Sequence, residues 1–87
     1  MKARALVSWN LRRIRGELGL SQEALAADAQ VSRAHMSEIE RENVSATVDL
    51  LERLAKVLKV EIDEFFRKPQ AGAKKLKMVK VGRKPIR

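Results

Sequence analysis

The sequence contains no cysteine and only one histidine, His35. The lack of cysteine excludes disulfide bonds, thiolate nucleophiles and cysteine-ligated zinc or iron–sulfur clusters. A metal site built on one histidine needs partner ligands at suitable spacing, and no such cluster accompanies His35. No nucleophile, base and orienting group occur at a spacing that supports catalysis. We therefore expect no enzymatic activity, no bound metal and no cofactor.

Long apolar stretches are also missing. No run approaches the roughly 20 residues that a membrane-spanning helix requires. The apolar stretch after Lys2 and Arg4 has only three residues, which is too short for the core of a signal peptide. These absences predict a cytoplasmic chain without membrane contact.

Acidic residues are absent from the last 21 positions, residues 67–87, which contain nine Lys or Arg residues. We call residues 67–87 the basic tail. Residues 1–66 have ten basic and eleven acidic side chains, a net charge of −1, so the tail accounts for the overall +8. This composition favours an anionic partner and is typical of a segment that is disordered when free. The partial alternation of Lys and apolar residues over 75–81 also suits a short edge strand.

The remaining residues show the periodicity of helices. Val7, Leu11, Ile14 and Leu18 recur at steps of four, three and four, which predicts a first helix with these side chains inside and an end at Gly19. Ser21, Ser32 and Thr47 are favourable N-caps for three more helices. The expected inward-facing residues of those helices are Leu25, Ala26, Ala29, Met36, Ile39, Val48, Leu51, Leu54, Ala55 and Leu58.

A last short helix is predicted at the end of this region, with Phe65 and Phe66 in its final turn and Pro69 after it. With 45% hydrophobic residues in 87, the chain can bury one small core. We expect an all-α domain of five helices over residues 6–66.

Several short motifs occur together in this region. They are Asn10-Leu-Arg-Arg-Ile-Arg, Gly19-Leu-Ser-Gln-Glu-Ala-Leu-Ala26, Val31-Ser, Met36-Ser-Glu-Ile-Glu-Arg41 and Leu51-Glu-Arg-Leu-Ala-Lys-Val-Leu-Lys-Val60. In their joint spacing, residues 6–66 resemble the Xre/Cro-type helix-turn-helix family of bacterial and phage repressors. The resemblance implies a compact, repressor-like DNA-binding domain that acts as a dimer on a near-palindromic operator.

The function implied by the resemblance is sequence-specific regulation of transcription on double-stranded DNA. A restriction–modification controller is one variant of this function. An alternative is a protein-binding module, such as the antitoxin of a toxin–antitoxin pair, which also binds its own operator.

The resemblance also implies roles for individual residues. Residues 32–41 correspond to the recognition helix, and Gln22 corresponds to a residue that braces a phosphate and a recognition side chain. Arg can donate two hydrogen bonds to guanine, Ala can touch a thymine methyl group, and Glu can accept from cytosine N4. The implied DNA-binding residues are Gln22, Arg33, Ala34, His35, Ser37, Glu38, Arg41 and Asn43.

Ordinary surface roles remain open for several of these residues. Arg33 also fits a solvated side chain in the first turn of a helix, and His35 fits either a phosphate contact or a solvated position. Glu38 also suits an ion pair with Arg41, three positions later on the same helix. Trp9 lies off the apolar stripe, so it is either partly exposed or covered by the tail or by a second subunit.

Two features concern the scaffold of the domain. The resemblance implies a partly buried ion pair between Arg15 and Glu40, which leaves Arg15 with a structural role. Gln30 occupies a turn position where the family often has Gly, so we expect a positive φ at Gln30. At the second such place, after Arg41, we expect Asn43 rather than Glu42 to take the left-handed conformation.

Partners follow from the same features. Phe65 and Phe66, or the tail, are expected to join two copies in a homodimer, and a further protein partner remains open. The tail residues expected to contact phosphates are Lys74, Lys75, Lys77, Lys80, Arg83 and Lys84.

Overall fold

The computed structural model describes residues 2–69, and within that range it shows four α-helices, one short 3₁₀ helix and no strand. The elements are α1 (Ala3–Leu18), α2 (Gln22–Ala29), α3 (Arg33–Glu40), α4 (Val48–Leu58) and the 3₁₀ helix (Ile62–Phe66). The predicted all-α class is confirmed, although a 3₁₀ helix stands where a fifth α-helix was expected. The proposed strand over 75–81 lies outside the described residues.

Local capping explains where the helices begin. The side-chain oxygens of Ser21, Ser32 and Thr47 accept the backbone N–H groups three residues later, at 2.9, 3.0 and 3.0 Å. Gly19 ends α1 in the left-handed conformation, with φ of 69°. The predicted caps of α2, α3 and α4 are therefore confirmed.

Within residues 2–69, three non-glycine residues end a helix or a turn with positive φ: Gln30 at 59°, Glu42 at 67° and Lys59 at 60°. The prediction for Gln30 is confirmed. The prediction that Asn43 takes this conformation in place of Glu42 is wrong. The N–H of Asn43 is held instead by the backbone oxygen of Glu38 at 2.9 Å, which closes the turn one residue earlier.

One apolar core joins all five elements. Its completely enclosed hydrophobic side chains are Leu11, Leu25, Met36, Ile39, Leu54 and Phe65. Two predicted core residues are exposed: Leu18 lies in the last turn of α1, where Leu20 packs on the core instead, and Val48 begins α4 with 72% of its surface free. Leu50 is buried in a position that the predicted stripe omitted.

Asn10 fixes the end of the domain onto α1. Its fully buried side-chain amide donates to the backbone oxygens of Phe65 at 2.9 Å and Arg67 at 2.8 Å. Its oxygen accepts from Nε and Nη2 of Arg13 at 3.1 and 2.9 Å, and Nη2 also lies 3.2 Å from a carboxylate oxygen of Glu64. These bonds place the enclosed Phe65 beside α1.

Candidate nucleic-acid interface

A tight turn joins α2 to α3. The left-handed residue Gln30 reverses the chain after Ala29, and the N–H of Val31 donates to the oxygen of Ala26 at 2.9 Å. Ser32 then caps α3, so only three residues separate the two helices. This is the arrangement of a helix-turn-helix, in which the second helix is presented to DNA.

The two faces of α3 differ in kind. Met36, Ile39 and Glu40 are buried against the rest of the domain. The opposite stripe carries the predicted base-contacting residues at helical spacing of three and four. Arg33 and Ala34 are exposed in its first turn, and Ser37 and Glu38 are partly exposed in the next. His35 is half-buried to one side of this stripe, and the exposed Arg41 continues it past the helix end.

Glu40 connects α3 to α1 and α2. Its carboxylate, with only 5% of the side chain exposed, accepts from Nε and Nη2 of Arg15 at 2.8 and 2.9 Å. A third donor is Nε2 of Gln22, at 3.1 Å from the same carboxylate. Nη1 of Arg15 donates to the oxygen of Leu20 at 3.0 Å, and the hydroxyl of Ser8 donates to the backbone oxygen of Glu40 at 2.6 Å.

This network determines the orientation of α3. The guanidinium group and the carboxylate form a two-bond pair of fixed geometry, which is the strongest type of charge-assisted contact. The Gln22 amide bonds to Glu40 and stands at the first position of α2, beside the N–H groups of that helix end that have no partner within the helix. Arg15 is thus engaged within the scaffold.

Glu38 has side-chain partners within the domain. Its carboxylate lies 3.9 Å from Nη1 of Arg41 and accepts from Nδ2 of Asn43 at 3.2 Å. The ion pair is exposed and long, so its contribution to stability is at most about 0.5 kcal/mol. A contact of this strength is easily exchanged for a bond to a base.

Arg4 is a residue that the sequence interpretation did not assign to the site. Its Nε donates to the hydroxyl of Ser45 at 3.1 Å, and its Nη1 lies 3.5 Å from the backbone oxygen of Glu42. These contacts link the first turn of α1 to the loop that follows α3. Since the pair is 41 positions apart and both residues are exposed, no sequence pattern signals it.

Trp9 and Arg13 lie together elsewhere on α1. The guanidinium carbon of Arg13 is 5.6 Å from the centroid of the Trp9 ring, within the range of a cation–π contact. Trp9 is half-buried. Among residues 2–69 Trp9 is thus partly exposed, and cover by the tail or by a second subunit lies outside the described residues.

The two predicted dimer residues, Phe65 and Phe66, differ in how much of their surface is exposed. Phe65 is completely buried in the core, so its assignment to a dimer contact is wrong for the folded domain. Phe66 keeps 44% of its surface exposed. The tail residues assigned to phosphate contacts lie outside the described residues: Lys74, Lys75, Lys77, Lys80, Arg83 and Lys84.

The described part of the chain has neither a cluster of metal ligands nor a membrane-spanning helix. Within residues 2–69, no three side chains of His, Cys, Asp or Glu come together in a way that could hold a metal ion. No helix in the same range is long and apolar enough to cross a membrane.

Comparison with known proteins gives matches to helix-turn-helix proteins. A family model described as helix-turn-helix matches residues 11–65. A hypothetical transcription factor from Neisseria, NHTF, is 28% identical in sequence, with a TM-score of 0.75 over 90% of this chain and 86% of that chain. A comparison with curated proteins gave no match.

Two restriction-modification controller proteins have the same fold. C.AhdI from Aeromonas hydrophila is 30% identical, with a TM-score of 0.70 over 72% of this chain and 96% of that chain. Wild-type C.Esp1396I is 35% identical, with a TM-score of 0.69 over 76% of this chain and 85% of that chain. Together with the family match over more than half of the sequence, these similarities show that the chain belongs to the Xre/Cro-type helix-turn-helix family of DNA-binding transcription regulators.

Proposed function

We propose that the protein binds double-stranded DNA with sequence specificity and regulates transcription, with α3 in the major groove. The observation that carries this proposal is the polar stripe on α3, whose opposite face is held rigidly by the core and by the Arg15–Glu40–Gln22 network. A helix must be fixed in this way to read base edges, because each contact depends on a geometry of a few tenths of an ångström.

Specificity in this proposal comes from the first two turns of α3. Arg33 donates two hydrogen bonds to guanine O6 and N7, Ala34 touches a thymine methyl group, and Glu38 accepts from cytosine N4. Each bidentate contact distinguishes its base by about 1–3 kcal/mol. Ser37 lies between these residues and can bond to more than one base.

Phosphate contacts flank this stripe in the proposal. Gln22 and the free N–H groups at the start of α2 bind one phosphate, and His35, Arg41 and Asn43 contact the backbone beside α3. The tail adds contacts that depend on charge and not on sequence.

A variant of Arg33 tests the specificity. Selection of binding sites from random duplex DNA gives the preferred operator, and Arg33→Ala is then measured on that operator and on a duplex with one guanine replaced. We expect the variant to lose the wild-type preference at one base position, about 10-fold or more, because the bidentate contact is gone. Arg12→Ala is the matched control, since it removes one exposed positive charge from α1. An Arg33→Ala protein with unchanged base preference would falsify the assignment.

We further propose that the protein acts as a homodimer, in which two copies of α3 lie about 34 Å apart, one turn of B-DNA. Phe66 keeps 44% of its surface exposed and lines the same depression as Val44. This surface replaces Phe65 as the proposed contact. The tail remains a second proposed contact between copies.

Phe66→Ser and Phe65→Ala distinguish the proposed dimer contact of Phe66 from the core packing of Phe65. We expect Phe66→Ser to weaken self-association in analytical ultracentrifugation while the urea midpoint of the monomer stays close to wild type. Phe65→Ala removes an enclosed ring and is expected to cost about 3–5 kcal/mol of unfolding free energy. A Phe66→Ser protein that associates as strongly as wild type would exclude this surface from the dimer.

Control of a restriction–modification system is the more specific role that we propose. Two solved structures that resemble the chain at 30% and 35% identity are named as such controllers. A reporter assay with promoters of a restriction endonuclease and its methyltransferase from the same genome tests the role. We expect this protein to change transcription from at least one of them, and binding sites confined to unrelated genes would argue against it.

A further inference from the structure

A shallow groove of 420 Å³ runs between α4 and the 3₁₀ helix, away from the stripe on α3. Its lining combines apolar side chains, Val48, Val60 and Ile62, with the carboxylates of Glu52 and Glu61. Lys56 is the one positive group among the lining residues. Val48 and Ile62 are exposed large hydrophobic residues, so the groove offers apolar surface that a binding segment could cover.

The carboxylates of the groove have no ion-pair partner within residues 2–69. The five ion pairs in that range involve Glu17, Glu38, Glu40 and Glu64, and none involves Glu52 or Glu61. Asp49 and Asp63, close to them in sequence, are also without a partner in the described part of the chain. The lining of the groove therefore has two carboxylates against the one ammonium group of Lys56, which leaves it with a net negative charge.

We propose that this groove binds residues 70–87 of the same chain. That segment carries seven Lys or Arg residues and no acidic residue, with Leu76, Met78, Val79 and Val81 between them. Its basic side chains match the carboxylates of the groove, and its apolar side chains match the exposed Val48 and Ile62. A second copy of the groove is a poorer occupant, because two such surfaces would bring four carboxylates together.

Chain length allows this contact. Eighteen extended residues span up to about 60 Å, whereas the longest dimension of the domain is 33 Å. Residue 70 follows Ile62, which itself lines the groove, by only eight positions. The connection between the groove and the segment is short, and a segment tethered in this way has a local concentration on the order of millimolar, so a weak affinity is sufficient for it to occupy the groove.

Docking of this segment in the groove affects DNA binding, and this part of the proposal rests on the proposed function. Basic side chains that bind Glu52 and Glu61 are withheld from phosphates. Groove and DNA then compete for the same segment, so that the tail contributes to DNA binding only after it leaves the groove. The competition makes Glu52 and Glu61 regulators of affinity although they lie outside the recognition helix.

A spin label on the full-length protein tests the docking without DNA. Since the chain has no cysteine, Gly82→Cys gives a single attachment site for a nitroxide. We expect amide signals of residues around Glu52 and Ile62 to lose intensity at least about twofold more than those of α2, as a tethered segment at millimolar local concentration would produce. In about 1 M salt the signals should recover, because the Debye length falls to about 3 Å.

Two double variants provide the matched comparison. Glu52→Gln with Glu61→Gln should restore the groove signals, whereas Glu17→Gln with Asp28→Asn, which removes the same charge from exposed positions on α1 and α2, should leave them weakened. Equal signal loss in both variants, or no loss in the parent protein, overturns the docking. If the groove signals weaken only when labelled and unlabelled copies are mixed, docking within one chain is overturned. If the groove signals depend on protein concentration and the label has no effect, the occupant is a second copy.

Binding to the selected operator tests the competition. At low salt the groove variant should bind severalfold more tightly than the control variant with Glu17→Gln and Asp28→Asn, although both have lost two negative charges. Equal affinities overturn the competition. If neither the parent protein nor the variants bind any duplex, the proposed function fails while the spin-label result still decides the docking.

Discussion

Glu40 is the residue on which the position of α3 depends most. Its carboxylate receives three side-chain hydrogen bonds, two from Arg15 on α1 and one from Gln22 on α2. The side chain of Glu40 is 5% exposed and that of Arg15 is 21% exposed. Removal of a donor leaves this buried carboxylate without a compensating charge, which lowers the free energy of unfolding. A variant that lacks the donor therefore measures how much the network stabilises the fold.

Arg15→Ala is expected to lower the unfolding free energy by about 3 kcal/mol, at the low end of the range for a broken buried pair because Arg15 reaches solvent. Urea denaturation followed by circular dichroism measures the change. Arg12→Ala, on the exposed side of the same helix, is the control and should stay within about 0.5 kcal/mol of wild type. A loss below about 1 kcal/mol for Arg15→Ala would place this pair among the weak surface pairs.

At the scale of elements, the boundaries of α2, α3 and α4 follow from single local residues. Ser21, Ser32 and Thr47 each bond to the backbone three positions later, and the same bond is possible in an isolated segment. For this reason the sequence predicts these helix starts correctly. The pattern of the motifs likewise brings Arg15 and Glu40 to positions that meet in the structure.

The sequence predictions are wrong where packing against a distant element determines whether a residue is buried. Periodicity places Leu18 and Val48 on apolar stripes, but no neighbouring element covers them at the helix ends. The two adjacent rings of Phe65 and Phe66 are equivalent in sequence, and the Asn10 amide, 55 positions away from Phe65, holds the backbone that turns one inward. The contact of Arg4 with Ser45 and the groove beside α4 depend in the same way on the packed fold.

The turn between α2 and α3 contains strain that glycine would relieve. Gln30 has φ of 59°, its side chain is exposed, and no side-chain hydrogen bond of Gln30 occurs among the described residues. A left-handed residue other than Gly costs about 1–2 kcal/mol, against about 0.5–1 kcal/mol for the greater entropy that Gly loses. We therefore expect Gln30→Gly to stabilise the domain.

The expected gain for Gln30→Gly is about 0.5–1 kcal/mol, or about 2–8 °C in Tm for a domain of this size. Thermal denaturation measures it. Ala27→Gly, at an exposed position within α2, places the same residue where φ is negative and should cost about 1 kcal/mol. A lower Tm for Gln30→Gly would show that the Gln side chain stabilises the turn by more than the backbone strain.

At the scale of the whole molecule, charge and sequence recognition are separated along the chain. Residues 2–69 contain twelve basic and eleven acidic side chains, so the domain that presents α3 is nearly neutral. Residues 70–87 supply the remaining seven positive charges of the net +8. Base preference should accordingly depend on α3, and salt dependence on the tail.

Neutralising the tail separates these two contributions. A variant with Gln at Lys74, Lys75, Lys77, Lys80, Arg83 and Lys84 loses six charges, and if all six contact phosphates the slope of log K against log salt becomes shallower by about 5. Its preference for the selected operator over other duplexes should be unchanged, because none of these residues reads a base. Arg33→Ala is the reciprocal case: it should lose base preference while the slope changes by about 1 at most. Binding titrations across a salt series measure both quantities, and a tail variant with the wild-type slope would exclude the tail from the DNA contact.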